Sequence, residues 1–336
     1  MEGIVRGTRK GVPVVPAGFF GIVLGLAGLG GTWRAAHQVW QLPAVVGETI
    51  MLVAAIVWAV LVMLYIAKWF VAREVALAEI SHAVQCCFVG LAGVATMLIA
   101  AAAAPYSRPL ALLLFCAGGA FTLAFAIWRT GVLWRGDREL ASTTPVLYLP
   151  TVAGTFVAGT VAAGLGYPDW GQYAFGAGLF SWLAIESILL NRMYNSPSMA
   201  SALRPTLGIQ LAPPVVGAVT LISVAPDAPG LFVHMMIGYG LLQCLVLLRL
   251  LPWIMQEPFA PSYWAFTFGA TAMATGPIRL IGQGDHGAVV ALAPVLFVFA
   301  NAVVGIVAIG TVWRIMQGRL FGVPAAVNPP GKANAA

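Results

Sequence analysis

The sequence predicts an all-α integral membrane protein, with ten transmembrane helices laid out as five helical hairpins around a central conduit. Three observations predict it. The 336-residue chain is 60% hydrophobic and only 8% charged, with a mean hydropathy of +0.92, whereas a soluble domain carries about a quarter charged residues. Its apolar runs are continuous and about twenty residues long, the length a spanning helix needs; a β-barrel would alternate apolar and polar residues. Those runs also alternate in kind, one rich in small residues and the next in bulky ones.

Hydropathy places the spans at 14–34, 44–68, 84–104, 110–133, 146–166, 171–191, 205–225, 230–253, 261–281 and 287–313. The loops between them are short. Residues 1–13 form a polar, basic N-terminal segment and 14–318 the transmembrane domain. Residues 319–336, ending "PAAVNPPGKANAA", are expected to be a disordered tail. The first apolar run is too long for a signal-peptide core and is read as a retained span.

Orientation follows from the bias of Lys and Arg toward the cytoplasm. With the N-terminus inside, the cytoplasmic side holds Arg6, Arg9, Lys10, Lys68, Arg73, Arg129, Arg135, Arg138, Arg192, Arg204, Arg249, Arg314, Arg319 and Lys332, and the outer side only Arg34, Arg108 and Arg279. Both termini are therefore cytoplasmic, consistent with an even number of spans. The net charge of +6 is an insertion signal; no clustered basic face argues for nucleic acid. Nine tryptophans fall near span ends, as an aromatic belt requires, while Trp58 and Trp182 lie well inside.

The odd spans are the small-residue ones. The first reads "PAGFFGIVLGLAGLGG", with Gly21, Gly25 and Gly28 on one stripe. The third is "CCFVGLAGVATMLIAAAAAP". The fifth, "PTVAGTFVAGTVAAGLG", contains Gly154, and the seventh, "RPTLGIQLAPPVVGA", contains Pro213 and Pro214. The ninth is "PSYWAFTFGATAMATG". Even spans, such as "FGAGLFSWLAIESILLNRM", carry more Leu, Ile, Phe and Trp. Odd members are thus expected inside and even members against lipid, in a weak repeat of about 60 residues. Small faces let membrane helices pack closely, and they also leave room for a pore. Five of them with helix-breaking Pro and Gly, tolerated where freed backbone groups meet protein or water, favour the pore.

Titratable groups narrow the kind of conduit. No Asp, Glu, Lys, Arg or His is placed in the interior of an odd span. Glu48 and Glu186 lie on even spans and read as interfacial or paired carboxylates, Glu186 with Arg192 six residues on; a buried interhelical hydrogen bond or a gating contact is the alternative for each. A proton-coupled pathway needs a titratable group, and a cation channel an acidic ring. Hydroxyls, backbone dipoles and a basic cytoplasmic rim suit an anion held weakly. No catalytic set, metal-ligand spacing or cofactor motif is present. Cys86, Cys87, Cys116 and Cys244 read as buried, inert thiols. His37, His234 and His286 fall near the outer face and His82 near the inner one.

The stretches "FFGIVLGLAGLGGTW", "LYLPTVAGTFVAG", "FGAGLFSWLAIESILL", "LRPTLGIQLAPP", "LLRLLPWI" and "WAFTFGATAMA" resemble, in order and from about residue 13 to 320, the family of bacterial tellurite-resistance proteins. That family also includes fungal dicarboxylate and sulfite transporters and the slow anion channel of plant guard cells. The resemblance implies quasi-fivefold symmetry, a homotrimer with one pore per subunit in the bacterial inner membrane, and small anions such as chloride or nitrate as permeants, with tellurite implied by the family name. It places a pore-plugging phenylalanine of the ninth helix at Phe268, between Thr267 and Gly269, and a pore-facing glycine at Gly21. Tandem Pro213–Pro214 departs from relatives that have one proline followed by a small residue. Gly25, Gly154, Pro213, Thr271 and Thr275 are the further expected lining residues, with the two threonine hydroxyls following Phe268 along the pore. Phe266, about 200° round the helix from Phe268, is expected to pack. The implied function is a passive anion channel gated by Phe268; the alternative is a secondary carrier of C4-dicarboxylates, sulfite or related oxyanions.

Overall fold

In lipid a backbone must satisfy its own N–H and C=O groups, and every apolar run of this chain does so as a helix. The computed structural model describes residues 13–136, 139–227 and 230–320; most of the N-terminal segment and of the C-terminal tail lies outside them. The helices are α1 (Ala17–Trp40), α2 (Ala44–Val71), α3 (Arg73–Ser81), α4 (Gln85–Ala103), α5 (Arg108–Trp134), α6 (Pro145–Gly164), α7 (Pro168–Asn195), α8 (Ser201–Val224), α9 (Gly230–Ile254), α10 (Pro261–Phe266 continuing as Thr267–Gly282) and α11 (Ala288–Met316). Among the described residues, nine are long and apolar enough to cross a membrane. The small-residue α10 is not one of the nine by composition, yet it lies within the bundle, buried along most of its length.

Each small-residue helix pairs with the bulky helix that follows it: α1 with α2, α4 with α5, α6 with α7, α8 with α9, α10 with α11. The small-residue members also touch one another in a closed cycle, α1–α4–α6–α8–α10–α1. Burial follows this order. The most apolar window of α8 is 89% buried, against 22% in α2, α5 and α7. Leu52, Met63, Leu113, Ile127, Phe180, Leu245 and Ile306 of the outer helices are exposed, an apolar belt that only lipid can cover.

Glycine makes the inner–outer seams tight. At Gly93 of α4 an added Cβ would stand 2.7 Å from the Gly118 carbonyl of α5, and at Gly159 of α6 one would stand 3.0 Å from the Gly171 carbonyl of α7. A side chain at either site would push the backbones apart, the usual role of small residues between membrane helices.

Every inner helix begins with a stretch that is not α-helical: 3-10 at Ala17–Phe19, Gln85–Gly90, Pro145–Leu147, Ser201–Leu211 and Pro261–Phe266, with a π segment at Leu149–Ala153. No outer helix does so. The carbonyl two residues before a start needs a partner, and at four of the five a cation supplies it. Lys68 Nζ donates to Val15 O at 3.2 Å, Arg129 Nη2 to Ala83 O at 2.9 Å, Arg204 Nε to Met199 O at 3.1 Å and Arg314 Nη2 to Phe259 O at 2.5 Å. These basic residues, read from sequence as insertion signals, also fasten the hairpins. At the third hairpin, Arg192 is buried with its Nε unpartnered.

Two details depart from the sequence reading. Residues 73–81, taken as a short loop, form α3. It is held because Glu79 accepts from Lys68 Nζ at 2.7 Å, Tyr65 OH at 3.1 Å and the Ala17 backbone N–H at 2.8 Å. And Cys116 is exposed on α5, whereas Cys86, Cys87 and Cys244 are buried; an apolar run on an outer helix faces lipid as readily as core.

Candidate functional site: the axis of the inner ring

The five inner helices surround an axis, and α10 shows how a residue comes to face it. Toward α1, α10 presents Trp264, Thr267 and Thr271, which close on Gly25 and Gly28. Toward α8 and its 3-10 start it presents Phe266 and Gly269: an added Cβ at Gly208 would stand 2.6 Å from the Phe266 ring, and one at Gly269 would stand 2.9 Å from Leu211. Between these two faces lies a strip of Phe268, Ala272, Thr275 and Arg279, at steps of about 100° per residue. Phe268 is half-buried and lies against Gly28, where an added Cβ would be 3.2 Å from its Cδ2. Phe266 stacks on Tyr263 at 6.2 Å and 20°, so the two phenylalanines face different surroundings.

The other expected lining residues fare unequally. Gly21 has room beside it, with Trp264 Cβ 3.6 Å from an added Cβ. Gly25 does not: an added Cβ would stand 2.3 Å from Thr267 Oγ1, so this glycine belongs to the α1–α10 seam. Gly154 belongs to the seam with α5, 2.2 Å from Thr122 Cγ2 on the same test. Pro213 is buried in the first α-helical turn of α8. Thr271 and Thr275 are buried too. Thr271 Oγ1 donates to its own Phe268 O at 2.9 Å, and Thr275 Oγ1 hydrogen-bonds Thr32 Oγ1 at 2.9 Å. Thr32 Oγ1 of α1 also donates to Thr271 O at 3.1 Å, so both threonines sit at the α1–α10 seam. Placing small residues on one stripe cannot separate close helix contact from an open lumen, and here contact accounts for Gly25, Gly154 and both threonines.

At the face where the hairpins turn, the strip opens into a cavity of about 600 Å³ lined by Ala35, Gln38, Val39, Ile222, Arg279 and Gln283, with Ile281 and Gly282. Arg279 sits in the last turn of α10, within the span expected at 261–281. Its Nη1 donates to Ser223 Oγ at 2.7 Å, and no carboxylate pairs with it among the described residues. The sequence held the signal: eleven residues past Phe268 is three turns, about 20° from the same direction.

Near the opposite end, Glu186 of α7 is buried without a cation. It accepts hydrogen bonds from Tyr148 of α6, Trp182 at 3.0 Å, Gln210 of α8 at 2.8 Å and Tyr239 of α9 at 2.6 Å. The expected pairing with Arg192 is absent among these contacts; neutral donors from four helices converge on the carboxyl group. Glu48 is paired, with Arg34 Nη2 at 2.7 Å and Tyr106 OH at 2.6 Å. Among the described residues no group of three His, Cys, Asp or Glu is placed to hold a metal ion.

Five hairpins whose small-residue members close into a ring, with lipid-facing partners outside, define a helical membrane channel or transporter. The match to known proteins agrees. Residues 14–312 match the voltage-dependent anion channel family, SLAC1. The chain is 33% identical over 309 residues to the tellurite resistance protein TehA homolog of Haemophilus influenzae, covering 91% of this chain and 93% of that protein. It is also similar to an uncharacterized transporter of Methanocaldococcus jannaschii, 23% identical over 233 residues, 61% of this chain and 65% of that one. The chain belongs to the SLAC1 voltage-dependent anion channel family.

Proposed function

We propose that the protein is a passive anion channel, closed in this conformation by the Phe268 ring. The observation that carries this is the position of Phe268: the one aromatic side chain on the axis-facing strip of α10, three turns from Arg279 and half-buried against Gly28. Replacing it leaves Ala272 and Thr275, which are too small to refill the space.

The sign of the permeant follows from the inner helices. None of the five contains Asp or Glu, while Arg204 and Arg279 lie in end turns and Arg34 in the last third of α1. With no carboxylate to relay a proton or attract a cation, transport is passive and selects anions. Chloride- and nitrate-like ions fit, and the name of the Haemophilus influenzae relative adds tellurite as an oxyanion to be tried. The inner face is the one where the inner helices begin and the capping cations gather, so both termini are cytoplasmic in a bacterial inner membrane. A negative interior then favours exit of a monovalent anion by about 2.3 kcal/mol per 100 mV. A homotrimer with one pore per subunit and quasi-fivefold symmetry completes the proposal; the cyclic contact order of α1, α4, α6, α8 and α10 supports that symmetry.

Planar-bilayer recording of wild type and Phe268→Ala, with chloride replaced by nitrate, sulfate or tellurite, tests the proposal. Unitary currents whose reversal potential follows the anion gradient support a channel. Saturable flux without unitary currents supports a carrier of C4-dicarboxylates, sulfite or related oxyanions instead.

A further inference from the structure

We propose that Arg279 forms an anion-binding site in the cavity where the hairpins turn, the site at which a monovalent inorganic anion is held before or after it passes Phe268. This deepens the channel reading and rests on it for the word "passes", though the site itself does not.

Four observations converge. Arg279 shares the axis-facing strip of α10 with Phe268, about 16 Å further along it. It lines a cavity of about 600 Å³, large enough for a hydrated small anion. It is half-buried, and its one protein partner among the described residues is the neutral hydroxyl of Ser223, which leaves guanidinium N–H groups unspent; the guanidinium carries five donors and no acceptor. The remaining polar lining is Gln38 and Gln283, whose amides offer neutral donors to the same ion. A half-buried arginine without a carboxylate is costly unless an anion compensates it.

The neighbouring charged groups are already engaged. Asp285 lies in the adjoining cavity of about 260 Å³ and is paired with His234 at 3.1 Å, so its charge is directed to α9. Arg34 is committed to Glu48 at 2.7 Å on the α2 side. Arg279 is the cation left free for a ligand.

The site also suits conduction. One monovalent cation with two amides binds a small anion weakly enough to release it, as throughput requires. Its attraction works over the screening length, about 10 Å at 0.1 M salt and about 3 Å at 1 M. The contribution is therefore largest at low anion concentration.

The test uses purified full-length protein in two measurements. In the Phe268→Ala background, conductance is recorded against chloride concentration on the mouth side, for Arg279, Arg279→Lys and Arg279→Gln. Arg279→Gln is expected to lower conductance about tenfold at low chloride, the size of an electrostatic focusing effect, with the difference fading at high chloride; Arg279→Lys retains most of it. Separately, iodide is titrated against the melting temperature of wild type and Arg279→Gln at constant ionic strength. Iodide is expected to raise Tm in a saturable way only when Arg279 is present. Equal conductance at low chloride together with equal iodide stabilisation overturns the site. If Phe268→Ala passes no current but iodide still stabilises only the arginine form, the binding site stands and the channel reading fails.

Discussion

Phe268 rests against Gly28: an added Cβ at that glycine would stand 3.2 Å from the ring and 2.3 Å from Thr271 Oγ1. The ring proposed to close the axis thus has its seat on a residue without a side chain, and the same residue brings α1 and α10 together. Gly28→Ala is expected to displace either the Phe268 ring or α10. Because overpacking costs about 1–3 kcal/mol, it should lower Tm modestly and raise anion leak in flux assays; unchanged flux and unchanged Tm would show the ring has another seat.

Gly21 and Gly25 are expected to part company. An added Cβ makes an ordinary 3.6 Å contact with Trp264 Cβ at Gly21 but a 2.3 Å clash at Gly25. Gly21→Ala should therefore be tolerated, while Gly25→Val should destabilise by about 1–3 kcal/mol. Gly21→Asp adds a carboxylate to a narrow path, where an isolated charge is costly and repels the permeant. In the Phe268→Ala background it should abolish anion current while the protein still assembles. Normal current in that well-folded double variant would remove Gly21 from the lining.

Glu186 is the centre of a hydrogen-bond cluster joining α6, α7, α8 and α9. Glu186→Leu leaves the Tyr148, Gln210 and Tyr239 donors facing an apolar group, at about 1–3 kcal/mol for each buried donor left unpaired. Thermal melting in detergent should show a large loss, with Glu186→Gln intermediate because an amide can still accept. A Leu variant as stable as wild type would mean that the cluster contributes nothing net.

Cys86, Cys87, Cys116 and Cys244 form no disulfide among the described residues. Replacing Cys86, Cys87, Cys116 and Cys244 together by Ala or Ser should preserve anion flux. Loss of all flux in a folded cysteine-free protein would contradict their inert role.

The layout was legible because it is written in composition. Alternation of small and bulky spans identified α1, α4, α6, α8 and α10 as the inner set, and the ring order adds what no local pattern carries, namely that α10 returns to α1. The site was legible only in part. Phe268 stood out as bulk among Ala, Gly and Thr. Thr271 and Thr275 misled because hydroxyls on a small helix serve seam bonds, such as Thr275 to Thr32, as readily as a lumen. The Glu186 cluster was hidden because its partners Tyr148, Gln210 and Tyr239 lie 24 to 53 residues away, beyond any periodicity. Arg279, counted among outer-side charges, was readable by helical angle as sharing the direction of Phe268.

The most direct test compares Phe268→Ala with Phe266→Ala by single-channel recording and thermal melting on the same preparations. Phe266 is half-buried like Phe268 but is wedged over Gly208 and stacked on Tyr263, so Phe266→Ala should lower Tm markedly and leave current at the wild-type level. Phe268→Ala should raise anion current many-fold with only a modest fall in Tm, because water entering the opened axis offsets much of the lost contact. A sharp fall in Tm for Phe268→Ala with no rise in current would contradict the gate and, with it, the passive channel.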